Sequence, residues 1–261
     1  MRKYAFILSS TLFRHIAACV LLLSLVCPTQ AIAETENELT IGAGGRVIVL
    51  PYKRYDTIWT PIPILNYEGK YAYVREYAVG AKLVNLKFLE ISAFVEYDYT
   101  GFRSKKSSDR QLRELSNRHY SANAGIGARL ITPYGMFHAS GAQNILGHSK
   151  GLTGLVGYMT SLEYKALEFI PSIGMQWSSN RYNDYYYGIS DNESLKSGLD
   201  SYRAGGGASP YAGGVICYSL TDSWEIYSSG ELVFLSSAIK NSPMVSRTNT
   251  YNLMLGLAYS F

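Results

Sequence analysis

Residues 250–261 read TYNLMLGLAYSF. Tyr251, Leu253, Leu255, Leu257, Tyr259 and Phe261 fall on one face of an extended strand, and Asn252, Met254, Gly256, Ala258 and Ser260 fall on the other. Period-two alternation of this length marks a strand between two different surroundings, one apolar and one polar or crowded. Terminal residues fray unless something holds them. The order of this strand must therefore come from neighbours paired along both of its edges.

The pattern recurs upstream. In 87–99, Leu89, Ile91, Ala93, Val95, Tyr97 and Tyr99 oppose Phe88, Glu90, Ser92, Phe94, Glu96 and Asp98. In 119–131, Tyr120, Ala122, Ala124, Ile126, Ala128 and Leu130 oppose Ser121, Asn123, Gly125, Gly127 and Arg129. Segments 167–178 and 223–236 alternate in the same way, with Glu168, Glu225 and Glu231 on their polar faces. These stretches exceed the usual five or six residues of globular strands and match the nine to eleven that cross a bilayer at a tilt. Tyr or Trp recurs near the ends of the apolar faces, where interfacial girdles sit.

Strands are predicted near 39–50, 71–83, 87–99, 119–131, 134–143, 151–163, 167–178, 209–220, 223–236 and 248–261. Short links alternate with long ones at 100–118, 144–150, 179–208 and 237–247, the rhythm of periplasmic turns and extracellular loops. The segment 51–70 leaves the count open. Its Ile62, Ile64 and Tyr67 either add a strand pair or form an extracellular hairpin, and Pro61 and Pro63 argue against a central strand there. The expected fold is all-β: a transmembrane antiparallel β-barrel of ten strands, with twelve as the alternative.

The front of the chain names the compartment. Arg2, Lys3 and Arg14 precede an apolar run of eleven, Ile16–Val26, then Pro28, and Ala31-Ile32-Ala33 supplies small residues for cleavage. This is the pattern of a secretory signal, too short for a spanning helix. The expected organisation is a cleaved signal peptide over 1–33 and an outer-membrane barrel domain over 34–261, in a Gram-negative bacterium. Cys19 and Cys27 leave with the leader, so Cys217 has no internal disulfide partner. Lys and Arg number 24 against 20 Asp and Glu, but three of the basic residues belong to the leader. The remaining chain is near neutral, and nucleic-acid binding has no electrostatic support.

Beyond fold class, specific residues carry a family resemblance. Tyr185-Tyr186-Tyr187-Gly188-Ile189-Ser190, Glu193-Ser194, Lys196-Ser197-Gly198-Leu199, Tyr202 and Gly205 to Gly207 form a long-loop signature similar to that of the MipA/OmpV family. Pro61 to Tyr67 resembles that family's early segment, and Ser242-Pro243-Met244-Val245 its final loop. The resemblance implies an outer-membrane protein acting as a scaffold or interaction partner in murein (peptidoglycan) synthesis. A lytic transglycosylase and a murein synthase are the partners it implies.

The residues themselves leave three readings: a non-enzymatic scaffold, a narrow channel for small solutes, and a hydrolase active at the rim. His138 and Ser140 share a face, but no acid stands in register to orient the histidine. Omptin-type proteases use acidic pairs and an Asp–His pair, whereas Asp184, Asp191 and Asp200 stand beside no histidine. No His/Cys spacing suits a metal, and no glycine-rich stretch precedes a helix to cradle a phosphate. No catalytic residue, metal or cofactor is expected. Glu90, Glu96, Asp98, Arg129, Glu168, Glu225 and Glu231 are expected in the lumen, with Arg75 or Lys82 among them, salt-bridged into a partial plug. Arg103, Lys105, Lys106, Arg110, Arg113 and Arg118 are candidates for lipopolysaccharide phosphates. Arg181, Tyr182, Tyr185, Tyr186 and Tyr187 carry the Tyr/Arg mixture of binding hot spots. They are candidates for a partner surface or, alternatively, braces across the barrel mouth.

Overall fold

A computed structural model describes residues 37–261. The leader expected at 1–33 lies outside the described residues. Twelve antiparallel strands form the wall: β1 (Glu38–Val49), β2 (Ile58–Glu68), β3 (Ala72–Arg75), β4 (Ala78–Asn85), β5 (Leu89–Asp98), β6 (Ser121–Thr132), β7 (Gly135–Asn144), β8 (Leu152–Met159 with Leu162–Tyr164), β9 (Leu167–Ser178), β10 (Gly207–Ser219), β11 (Trp224–Phe234) and β12 (Asn249–Ser260). Each pairs with the next, and β12 returns to β1 in the register Thr40↔Ser260 through Val49↔Tyr251. The terminal strand β12 thus closes the barrel. The two pieces of β8 keep one register against β9, and the ladder lapses only beside Pro171, which has no N–H to give.

The alternation turns outward as predicted. Leu255 is 61 % exposed and Ile173 61 %, whereas Met254 and Ala258 on the opposite face of β12 are buried. A water-soluble sandwich would do the reverse. Every backbone group in hydrocarbon needs a partner inside the protein, and only closed sheets and helices meet that demand. Among the described residues no helix is long and apolar enough to span.

The count of ten is corrected to twelve. Residues 58–68 form β2, prolines included, and the stretch predicted as one strand at 71–83 is a hairpin, β3–β4. Glu76 takes a positive φ of 51° at its tip, and its N–H donates to Asn66 Oδ1 at 3.0 Å. Such a turn conformation is uncommon for a residue with a Cβ, so alternation through Tyr73, Arg75 and Tyr77 hid the break.

Short turns at the periplasmic end contrast with long loops at the other. Four of the loops, 50–57, 99–120, 179–206 and 235–248, fold together over the outer mouth. They carry short helices: α1 (Arg110–Arg113), α2 (Asn180–Tyr187), α3 (Asp191–Ser197) and α4 (Ser237–Lys240). Isolated bridges Tyr52↔Val245 and Tyr55↔Ser107 tie one loop to two others.

Candidate functional site

The lumen is organised in three levels. At the outer mouth the loops bury an apolar core of their own, centred on Tyr52, Phe102, Leu112, Tyr186, Ile239 and Met244. The Tyr52 ring meets Phe102 edge-on at 4.9 Å between centroids, a favoured aromatic geometry. Several hydroxyls of this cap donate to acceptors in other loops or in the wall. Tyr182 Oη donates to Asp98 Oδ2 at 2.9 Å, Tyr202 Oη to the Ala238 carbonyl at 2.9 Å and Ser242 Oγ to the Tyr187 carbonyl at 2.6 Å. Burial pushes the phenols of Tyr52, Tyr182, Tyr186 and Tyr187 above their ordinary range, so they stay neutral.

Glu193 links the cap's loops. It closes a capping box with Ser190 at the start of α3, and Gly198 ends that helix in the left-handed region. The same carboxylate accepts from Ser116 N–H at 3.1 Å and pairs with Arg118 Nη2 at 2.9 Å. Burial alone would raise its pKa, but the Ser190 N–H, Arg118 and Ser116 hold it below the usual glutamate value.

Under the cap lies a chamber of about 500 Å³. Glu96, Asp98 and Glu231, three of the expected lumen charges, face it, with Glu76 from the β3–β4 tip. At the periplasmic end Glu90 and Arg129 join a second cluster. Arg75 bridges Glu90 (2.8 Å) and Glu68, Lys82 reaches Glu68 at 2.9 Å, and Arg129 stands 3.9 Å from Glu90. Arg75 also lies 3.7 Å over the Tyr73 ring. Opposite, His138 Nε2 and Tyr211 Oη meet at 3.0 Å across β8 and β9. Gly157 leaves them room, since a Cβ there would fall 2.6 Å from the His138 ring. Glu168 and Glu225, also on inward-facing positions of their strands, sit near the same end, Glu168 accepting from Ser161 Oγ at 2.6 Å. The seven side chains expected in the lumen stand at the more buried positions of their alternating strands. Missed by alternation were Glu68, Glu76 and Arg46, the last hydrogen-bonded to Asn252 at 2.7 Å. Arg46 stood in plain alternation with Val47, and its inward register was the available signal.

The five loop residues expected on a partner surface divide. Tyr186 and Tyr187 are buried in the cap core, Tyr182 is spent on Asp98, Tyr185 is half-buried, and Arg181 is exposed. The basic loop divides too. Arg103, Lys105, Arg110 and Arg113 are exposed to the outside, Lys106 is half-buried and Arg118 is paired inside the cap. His138 and Ser140 lie on adjacent inward positions, with Tyr211 rather than Ser140 bonded to the histidine. At the periplasmic rim the short turns present aromatics: Tyr134 is 84 % exposed, Tyr71 71 % and Tyr164 69 %.

Residues 41–261 match the model of a protein family described as MltA-interacting protein MipA. The chain is 32 % identical to the MltA-interacting protein of Escherichia coli K12, over 91 % of this chain and 96 % of that one. It is 28 % identical to the outer membrane protein OmpV of Vibrio cholerae, over 69 % and 66 % of the two chains. Among solved structures, that of a Pseudomonas aeruginosa FadL homologue aligns with a TM-score of 0.41 at 6 % identity, over 86 % of this chain and 89 % of that one.

Proposed function

This chain belongs to the MltA-interacting protein MipA family, and on that premise we propose that it is a non-enzymatic outer-membrane scaffold whose periplasmic rim holds a murein-acting partner, a lytic transglycosylase with its synthase. The observation that carries the reading is the packed cap. A barrel whose outer mouth is filled by Phe102, Leu112, Tyr186 and Met244, each fully buried, is built to stay shut. Its periplasmic half holds an ion-paired cluster, and buried pairs of this kind are costly to break.

What remains for a partner is the rim. The turns are short, but they carry Tyr71, Tyr134 and Tyr164 beside Phe261, all largely exposed. Tyr is enriched in binding hot spots because it offers a large, stiff contact area with a polar tip. The E. coli relative is named for an interaction with MltA.

Crosslinking in intact envelopes with mass spectrometry of the captured proteins tests the reading. Capture of a lytic transglycosylase, reduced by the joint change Tyr71→Ser, Tyr134→Ser and Tyr164→Ser, is the expected result. Absence of any murein enzyme among the captured proteins overturns it. Discrete openings in a planar bilayer would favour the channel reading instead, and none are expected from the natural chain.

A further inference from the structure

We propose that the chamber binds a single-chain amphiphile with a cationic head, admitted sideways from the hydrocarbon through a window in the wall between β2 and β5. The window follows from the register. β2 meets β3 only at Tyr67↔Val74 and Glu68↔Tyr73. β3 ends at Arg75, the hairpin turns at Glu76 and Tyr77, and β4 starts at Ala78 opposite Glu96. Above that tip, Ile58 to Leu65 are paired to β1 on one edge and to no strand on the other among the described residues.

Depth makes this edge unusual. Pro61 pairs with Gly45, which pairs with Leu255, and Pro63 pairs with Ala43, which pairs with Leu257. The open edge therefore lies level with the middle of the apolar stripe of β12. Unpaired strand edges facing lipid are strongly disfavoured. The sequence lowers that cost at two positions. Gly69 N–H donates to the Ala72 carbonyl, so odd-numbered residues of β2 direct their backbone groups toward the β3 side. Pro61 and Pro63 are in that phase and bring no N–H to the open edge. The window is bounded above by the Tyr55↔Ser107 bridge. Behind it the Arg46 guanidinium lies 3.9 Å over the Tyr99 ring and 4.9 Å over Tyr77, a stack that fills the passage without sealing the sheet.

The chamber's chemistry selects the head group. Glu76, Glu96, Asp98 and Glu231 accept from neutral donors only: Tyr227, Asn123, Tyr182 and Gln176 respectively. Arg75 also lines the chamber but is spent on Glu68 and Glu90, and among the described residues none of the four stands within salt-bridge distance of a cationic side chain. A second observation points the same way. Asn123, 3 % exposed, lines the chamber with its Oδ1 lacking any donor. An ammonium group supplies both charge and donors. Ile48, Leu155, Val233 and Leu235 line the same space and suit an alkyl chain. With the cap over the mouth, the hydrocarbon side is the route the wall leaves.

The test uses the natural chain in lipid nanodiscs and two probes with the same photoreactive alkyl chain, dodecylamine and dodecyl sulfate. After irradiation, the amine should label peptides holding Ile48, Leu155 or Val233, and the sulfate only outward-facing peptides. Glu96→Gln with Glu231→Gln should cut chamber labelling by about tenfold, the loss of one charge-assisted contact. Lipid-face labelling should be unchanged, which also reports that the barrel is intact. A disulfide between Tyr55→Cys and Ser107→Cys, opposed in one bridge at the edge of the cap core, locks the cap and should leave the labelling rate unaltered. Equal chamber labelling by both probes, label confined to the lipid face, or loss of labelling in the locked cap would each overturn the proposal.

Discussion

Leu112 in the cap and Leu255 in the wall are the same residue type 143 positions apart, and they meet opposite surroundings: Leu112 is fully buried and Leu255 is 61 % exposed. Around Leu112 the loops behave as a small water-soluble domain, with an apolar interior, capped helices and hydroxyls tied to carbonyls. Around Leu255 the polarity is inverted, with leucines outside and charges inside. The wall takes its stability from backbone pairing in a medium without water, and the cap takes its own from packing against water. A single substitution should therefore damage one region and spare the other.

The largest effect is expected at the seam on which the wall depends. A Cβ on Gly44 would fall 2.8 Å from Gly256 Cα, a backbone atom that has no way to yield. Gly44→Val should prevent β1 from meeting β12 and abolish the compact barrel. Loss of the heat-modifiable band on unboiled gels, with the chain degraded in envelopes, is the measurement. A normal band would show that closure tolerates the bulk and would break the claim that pairing governs the wall.

The next pair sharpens the contrast. Leu112→Ala should cost about 2–5 kcal/mol, the range for buried leucines, and the cost should fall on the cap alone. Trypsin should then cut at Arg110 or Arg113 while the barrel band persists. Leu255→Ala should be nearly silent in both assays, because a lipid-facing leucine loses little packing. Leu255→Arg should lower barrel stability by about 2–4 kcal/mol, as charges at the bilayer midplane do.

How much of this was legible differs between the two regions for the same physical reason. The wall was readable because one strand at a time shows its two surroundings, and Tyr251 to Phe261 alone announces hydrocarbon. Parity was also the whole basis for reading the seven charges as inward. The failures in the wall came where pairing is local and incomplete: Glu76 turns against its residue type, and Pro61 and Pro63 sit in a strand whose second edge is open. The cap was hardly readable, because its core is assembled from four loops distant in sequence, so that Tyr52, Phe102, Tyr187 and Met244 share no period. It does hold a local signal: Ser190 and Glu193 at capping-box spacing, with Gly198 following, mark α3, and reading 179–208 as a plain connection passes over them.

The smallest and most specific effect concerns that same glutamate. In the folded cap, Glu193 titrates below its ordinary value, despite the opposing push of burial, because the Ser190 and Ser116 N–H groups and Arg118 favour its charged form. A group with a lowered folded pKa contributes stability above its unfolded pKa and loses it as pH falls through the folded value. The cap should therefore be constant from neutrality down to the ordinary carboxylate range near pH 4 and loosen below it, read as faster hydrogen exchange in 188–199. Glu193→Gln keeps the geometry of the capping box but not the charge. Its exchange should already be faster at neutral pH and should no longer change across the acid range, while exchange in β12 stays unmoved in both proteins. If β12 loosened together with α3, cap and wall would be one cooperative unit, and the division between two solvents would not extend to their stabilities.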